Sequence, residues 1–431
     1  MNQFQKKYQD KLISLKDAAE MVDDGDKITV AMAGSEPQGL LDSLAGRAKE
    51  LNDVTLVSCL MMGDYGFHSP EMIGHIKNET WFYGQSDRKN HHHGNISYIP
   101  NNLHEAGEKK LENDDINIFW GTATPMDEMG YFSLSLGITY EKMMIEEVDL
   151  VILEINENLP WTLGDTQVHI SEIDNIVENT APLIELPNIE PGEIENRIGQ
   201  HIAGMIDDGS TLQLGIGGIP NAITKYLTDK KDLGIHTEMF TDGMVDLFYS
   251  GAITGRKKSI WNGKMVTTFA LGTKKLYDFI NKNIAVEFQQ GNITNDPYVI
   301  GQNHKMVSVN TALQVDLSGQ VCSEALGNKQ YSGTGGQADT HRGAQRSKGG
   351  KGIIALRSTA KGGELSTVIS QLPAGSKVTL GRNDIDYIVT EHGIAHLKGK
   401  SMGERVEAMI NIAHPDFREK LKNEAQDLKL W

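Results

Sequence analysis

The chain is poor in cysteine, with only Cys59 and Cys322 among 431 residues. That excludes a disulfide framework and fits a reducing compartment. It has no apolar run of membrane-spanning length. Its opening stretch MNQFQKKYQDKLISL lacks the apolar centre of a signal peptide. The expectation is a cytoplasmic protein that does not engage a membrane. Positive charge is also scarce: 41 Lys and Arg stand against 58 Asp and Glu, a net charge of −17. Such a balance argues against a nucleic-acid or membrane-surface binder. It does not exclude an anionic small ligand, because a local backbone nest binds phosphate whatever the global charge.

Glycine is plentiful, at 45 residues, and clusters between apolar runs, as tight strand-to-helix turns require. The length calls for two or three domains. An internal repeat suggests how they arose. The helix-like LKDAAEMV, the stop Asp23-Asp24-Gly25, the strand KITVAMA and a turn into a helix return as IGQHIAGMI, Asp207-Asp208-Gly209, TLQLGI and GGIPNAITKYL. A second match pairs DINIFWGTATPMDEMGYFSLSLG with KMVSVNTALQVDLSGQVCSEALG, setting Asp127 and Gly130 against Asp316 and Gly319. A third pairs EVDLVILEINENLP with DIDYIVTEHGIAHL. The shared order implies a duplicated α/β unit, too long in period for a solenoid. Apolar strands alternating with helical patterns favour mostly parallel open sheets. The proline-bearing segment 181–196 reads as a linker, giving domains 1–188 and 189–431. The stretch GAQRSKGGKG, residues 343–352, reads as a basic turn or loop.

In such folds ligands bind beyond the carboxyl ends of the strands. Two features of the second half lie there. Gly215-Ile216-Gly217-Gly218-Ile219-Pro220 follows an apolar strand and opens a helix, so its backbone can approach an anion. Pro220 stands where the dinucleotide fingerprint needs glycine, and the Lys-Ser/Thr of a P-loop is absent, so a tight structural turn is the other reading. Glu238, in GIHTEMFTDGMVDLF, sits where a strand runs into a turn and helix. It can be a nucleophile, a general base or a solvated charge. The first copy carries Ser58 or a close neighbour at the equivalent place. Glu324 is a competing carboxylate. The loop Ser332–Asp339 offers further backbone donors, and Asn295 can donate an amide hydrogen bond or cap the next element. His91-His92-His93 has no ligand spacing around it and reads as a loop rather than a metal site. Cys322 reads as packed.

At these residues the chain resembles the acetyl-CoA hydrolase/transferase family, nearest to its 4-hydroxybutyrate and butyryl-CoA:acetate CoA-transferases. The resemblance rests on STLQLGIGGIPNAI, LGIHTEMFTDGMVDL, GTKKLYDF, LQVDLSGQV, SGTGGQAD, STAKGG, RNDIDYIVTEHGIAHLKGKS and INIAHPDFRE, and spans nearly the whole chain. It implies two similar α/β domains with the active site in the cleft between them. It also implies ping-pong transfer through a glutamyl-CoA thioester on Glu238, with acyl-CoA hydrolysis as the alternative. CoA contacts would fall on Gly215, Ile216, Gly217, Gly218, Ile219, Leu313 and Gly336, with Asn295 and the Gly336 N–H beside the thioester oxygen. CoA would be substrate and covalent intermediate, with no tightly bound cofactor and no metal. The partners implied are CoA thioesters and short-chain carboxylates, in a homo-oligomer. One departure is the run Thr340-His341-Arg342-Gly343, where relatives carry Phe-Val/Thr-Arg-Gly.

Overall fold

A computed structural model describes residues 2–430. The chain forms two compact units, Met1–Leu186 with Val266–Thr294, and Pro187–Met265 with Asn295–Trp431. The sequence-based division at 188/189 assigned residues 266–294 to the second domain. Their backbone instead bonds to the first unit, through Ile138 N to Thr268 O, Ala270 N to Leu136 O and Phe288 N to Leu163 O.

The first unit is built on a seven-stranded, wholly parallel sheet. Its strands are β1 (Lys27–Val30), β2 (Val54–Ser58), β3 (Ile76–Thr80), β4 (Ile96–Tyr98), β5 (Ile118–Ala123), β6 (Leu150–Ile155) and β7 (Asn175–Glu178), in the order β4-β3-β2-β1-β5-β6-β7. Strands such as IFWGTA are buried along their whole length, as expected of a parallel sheet covered on both faces. Ile28, Leu56, Trp120 and Ile152 belong to one apolar core.

The second unit has strands β8 (Thr211–Leu214), β9 (Gly234–Ile235), β10 (Met306–Thr311), β11 (Lys351–Ala355), β12 (Tyr387–Thr390) and β13 (Gly393–His396), in the order β9-β8-β10-β11-β12-β13. All pairs are parallel except the last. Four helices matter for the site: α1 (Glu193–Met205), α2 (Gly218–Lys225), α3 (Asp242–Tyr249) and α4 (Gln337–Arg346). The stretch 343–352 is therefore not simply a loop, because its first four residues close α4. Gly343 is there for packing: a Cβ would stand 2.5 Å from Ile300 Cγ2.

The duplication is visible in hydrogen bonds. Asn52 N donates to Asp24 and Gly25 N to Asn52 O; Lys231 N donates to Asp208 and Gly209 N to Lys231 O. Asp127 accepts from Met129 N and Tyr131 N, as Asp316 does from Ser318 N and Gln320 N. Gly130 and Gly319 both take positive φ, at 89° and 96°. The third match does not hold by position. Strand β6 pairs with β5, whereas β12 is separated from β10 by β11. Register makes Lys351–Ala355 the counterpart of Leu150–Ile155, and Tyr387–Thr390 that of Asn175–Glu178. Both units thus share a core of five parallel strands in the same spatial order.

Candidate active site

In the second unit the chain reverses direction across the sheet between β8 and β10, the switch point at which ligands bind in open α/β sheets. The glycine loop leaves β8 here. Gly217 has φ +111°, a conformation that favours glycine, and α2 starts at the next residue. Ile219 of this loop and Leu313, just past β10, line one cavity of about 710 Å³ with Thr311, Ala355, Arg357 and Lys361. Ile216 is exposed.

Glu238 follows β9. The expected continuous strand is broken at this residue: Gly234–Ile235 and Met239–Phe240 are separate strands, and Glu238 lies in the bend between them. The break lifts the carboxylate out of the ladder. Its Oε2 accepts from Asn295 Nδ2 at 2.8 Å and its carboxylate from the N–H of Gly336, which opens α4. Burial pushes the Glu238 carboxyl up to about 7, the nearby charge of Asp339 pushes the same way, and the two donors oppose them. Gly336 cannot be another residue: a Cβ would lie 1.8 Å from Glu238 Oε2 and 2.1 Å from Asn295 Nδ2. Asn295 is fully buried, and its Oδ1 has no hydrogen-bond partner among the described residues. It does not cap the following helix; Asp296 does, accepting from Tyr298 N.

The chain thus brings Glu238, Asn295 and Gly336 into contact, and Ile219 and Leu313 into one cavity. The other candidates have structural roles. Glu324 is buried and accepts from Thr334 Oγ1 at 2.7 Å, holding the loop that leads to Gly336. Cys322 is buried, its Sγ against Ala325 O. His91 meets Tyr83 and His93 meets the His68 carbonyl, and among the described residues no group of His, Cys, Asp or Glu is arranged to hold a metal. No helix of the described residues is long and apolar enough to cross a membrane.

Register also identifies the counterpart of Glu238. Leu56 faces Ile28 as Ile235 faces Leu212, which sets Cys59, the neighbour of Ser58, opposite the glutamate. The departure at Thr340 has a local cause. Its hydroxyl donates to the Gly336 carbonyl at 2.9 Å and accepts from Asn310 Nδ2, while Ser308, whose hydroxyl lies 3.0 Å away, donates to Gln213 Oε1 at 2.7 Å. A phenyl ring could join none of these bonds. His341 is buried and pushed down to about 3 by its burial, so it is neutral; its Nε2 accepts from Asp386 N. Asp339, Glu195, Arg357 and Lys361 were not singled out from sequence. Asp339 closes the loop Ser332–Asp339 and Lys361 sits inside the STAKGG motif, but nothing in the residue spacing marked the other two.

Comparisons with known proteins identify the family. The family models for the acetyl-CoA hydrolase/transferase N-terminal and C-terminal domains match residues 1–185 and 272–425. The 4-hydroxybutyrate coenzyme A transferase of Clostridium kluyveri is 44% identical over 97% of each chain. The succinyl-CoA:cyclohexane-1-carboxylate CoA transferase of Geobacter metallireducens is 42% identical over 98% of this chain and 97% of its own. The crystal structure of RipA from Yersinia pestis superposes with a TM-score of 0.95 at 36% identity, covering 100% of both. An acetyl-CoA hydrolase from Kluyveromyces lactis is more distant, at 28% identity over 56% of this chain and 47% of its own. With relatives this similar along its whole length and both domain models matched in order, the chain belongs to the acetyl-CoA hydrolase/transferase family.

Proposed function

We propose that the protein is a CoA-transferase. It moves CoA between a short-chain acyl-CoA, such as 4-hydroxybutyryl-CoA or butyryl-CoA, and a carboxylate such as acetate. The observation that carries this reading is the Glu238 carboxylate, held by an asparagine amide and a glycine N–H that leave no room for a larger residue. Relatives named as transferases at 42% and 44% identity support it.

Ionised Glu238 attacks the acyl-CoA carbonyl. The C–S bond breaks, an acyl-glutamyl anhydride forms and CoA leaves as thiolate. The thiolate attacks the glutamyl carbonyl and expels the donor acid, leaving a glutamyl-CoA thioester. An incoming carboxylate attacks that thioester and the sequence runs in reverse. One thioester is exchanged for another, so the reaction as written needs no metal or redox group; CoA is a substrate. Each addition places negative charge on a carbonyl oxygen. Asn295 Nδ2 and Gly336 N–H are positioned to receive it, and losing one such donor costs about 3 to 4 kcal/mol. A carboxyl raised to about 7 is a stronger base than an ordinary glutamate and still half ionised at neutral pH. Gly215, Ile216, Gly217, Gly218, Ile219 and Leu313 hold CoA by its remote parts, which positions the sulfur. Water must be kept from the anhydride, or transfer becomes hydrolysis. We place the enzyme in the cytoplasm as a homo-oligomer, which the sedimentation of purified protein tests.

Incubation with acyl-CoA alone should add the mass of CoA to the peptide containing Glu238, and Glu238→Gln should abolish CoA exchange while keeping the fold. Normal exchange by that variant, or a CoA adduct on Glu324, would overturn the assignment. Free thiol released without an acceptor acid would mark a hydrolase.

A further inference from the structure

The N–H of Gly336 belongs to a residue with no side chain, so what aims it lies elsewhere. Gly336 is the N-cap of α4 and supplies no side-chain cap. Its carbonyl is bonded twice by Thr340, through the backbone N–H at 2.9 Å and through the hydroxyl at 2.9 Å. The first of these is an ordinary helical bond. The second is an addition, and a hydroxyl free to rotate would not hold it. Here the hydroxyl is oriented from behind. Asn310 Nδ2 donates to Thr340 Oγ1 at 3.0 Å, which leaves the one hydroxyl hydrogen for Gly336. Gln213 Nε2 reaches Asn310 Oδ1 at 3.4 Å, and Gln213 Oε1 accepts from Ser308 at 2.7 Å. Thr340, Asn310, Gln213 and Ser308 are all buried. Gln213 and Ser308 pair in register on β8 and β10, and Asn310 lies two residues further along β10, on the same face. A buried polar chain of this kind specifies one arrangement, where apolar side chains would fill the space as well.

The other side of the same turn is fixed by Gln337. Its Nε2 donates to Thr311 O at 2.8 Å and its Oε1 accepts from Ser323 Oγ at 2.7 Å. Thr340 and Gln337 thus anchor the turn on consecutive residues of β10, Asn310 and Thr311.

We propose that Thr340 and Gln337 are positioning residues for CoA transfer, clamping the first turn of α4 to β10 so that the Gly336 N–H stays aimed at the carbonyl oxygen that gains charge. The proposal rests on the CoA-transferase reading and adds to it what holds the donor. A pre-aligned donor reorganises little as charge develops, so loosening it slows the chemical step and leaves substrate binding alone. Loosening also weakens a bond to the ionised Glu238 carboxylate, which is buried near the charge of Asp339 and needs that donor to stay charged.

The experiment is steady-state CoA exchange from butyryl-CoA to acetate by the whole protein across a pH series. Thr340→Val keeps the shape and removes the hydroxyl. It should lower kcat about tenfold, the loss of one buried hydrogen bond, with KM for butyryl-CoA within about twofold of wild type. The rise of log kcat/KM should also move to higher pH, because a poorly held carboxylate takes its proton more readily. Thr340→Ser keeps the hydroxyl and should restore both the rate and the pH profile. Gln337→Met removes the other anchor at similar length and should change kcat and the pH profile in the same directions; it decides the matter if the valine variant does not fold. A loss of stability alone would leave the pH profile in place. Wild-type kcat and pH profile in Thr340→Val and Gln337→Met overturn the proposal, as do equal losses in Thr340→Ser and Thr340→Val, which would mark packing. If those variants behave as wild type while the wild type carries CoA on Glu238, only this inference fails; a wild type that exchanges no CoA removes the transferase reading as well.

Discussion

The two units carry the same five-stranded core, yet their crevices at the strand ends are built oppositely. In the first unit β6 carries Glu154, a buried carboxylate in an otherwise apolar strand. It accepts from Leu40 N at 2.9 Å, in the first turn of the helix Gln38–Arg47, and from Asn179 Nδ2 at 2.8 Å. The protein's own anion thus occupies the helix N-terminus where a ligand's anion would sit. Glu36, just past β1, is likewise held by Met62 N, Gly63 N and Tyr65. Burial raises both carboxyls. In the second unit the residue in register with Glu154 is Ala355, and it faces the cavity. One copy is stoppered from within; the other is left open and lined with cations. The two copies thus differ at two strand ends, with Glu154 in the first where the second has Ala355, and Glu238 in the second where the first has Cys59.

Four substitutions break or sharpen that contrast. The largest effect belongs to Gly336→Ala. The added methyl would displace Glu238 or Asn295, and kcat for CoA exchange should fall by roughly 10² to 10³, as for loss of an oxyanion donor. Next, Ala355→Glu would give the open crevice the stopper of its twin. Like charges brought together cost several kcal/mol, so CoA affinity measured by calorimetry should fall roughly a hundredfold. An unchanged affinity would mean that the cavity is not where CoA binds. Third, Glu154→Ala removes the stopper from the first unit. Leu40 N and Asn179 Nδ2 lose their acceptor, and denaturant unfolding should show a loss of about 2 kcal/mol.

The last effect is on stability and its dependence on pH. Glu238 binds its proton more tightly folded than unfolded, so its ionisation destabilises the fold as pH rises from the ordinary glutamate range through about 7. Glu238→Gln should therefore be more stable than the wild type by up to about 3 kcal/mol above about pH 8, and no more stable below about pH 4, since one pKa unit corresponds to about 1.4 kcal/mol. In the wild type log kcat/KM should rise with pH up to about 7 and then level, because attack needs the ionised carboxylate.

Local devices were readable from sequence. The Asp-Asp-Gly stops and the Asp-x-x-Gly turns need those residues for their own hydrogen bonds and φ, so the repeat they mark is real. The glycine loop could be placed after its strand for the same reason. What depends on distant partners was not readable. The third repeat match paired strands by composition, but a strand's neighbour in the sheet is decided by packing far along the chain. Glu238 meets an asparagine 57 residues away, and Arg357 meets a glutamate 162 residues away. The residue pattern alone left Glu238 one carboxylate among many; the family resemblance singled it out. Gly343 misled because its absent side chain serves a contact with Ile300, not a turn.

Pro220 has a consequence that concerns the enzyme at rest. It occupies the third position of α2, where an ordinary residue would point an N–H out of the helix mouth without an intrahelical partner. Proline has no such hydrogen to satisfy. The first turn of α2 therefore carries one backbone donor fewer for solvent or a neighbouring group to satisfy.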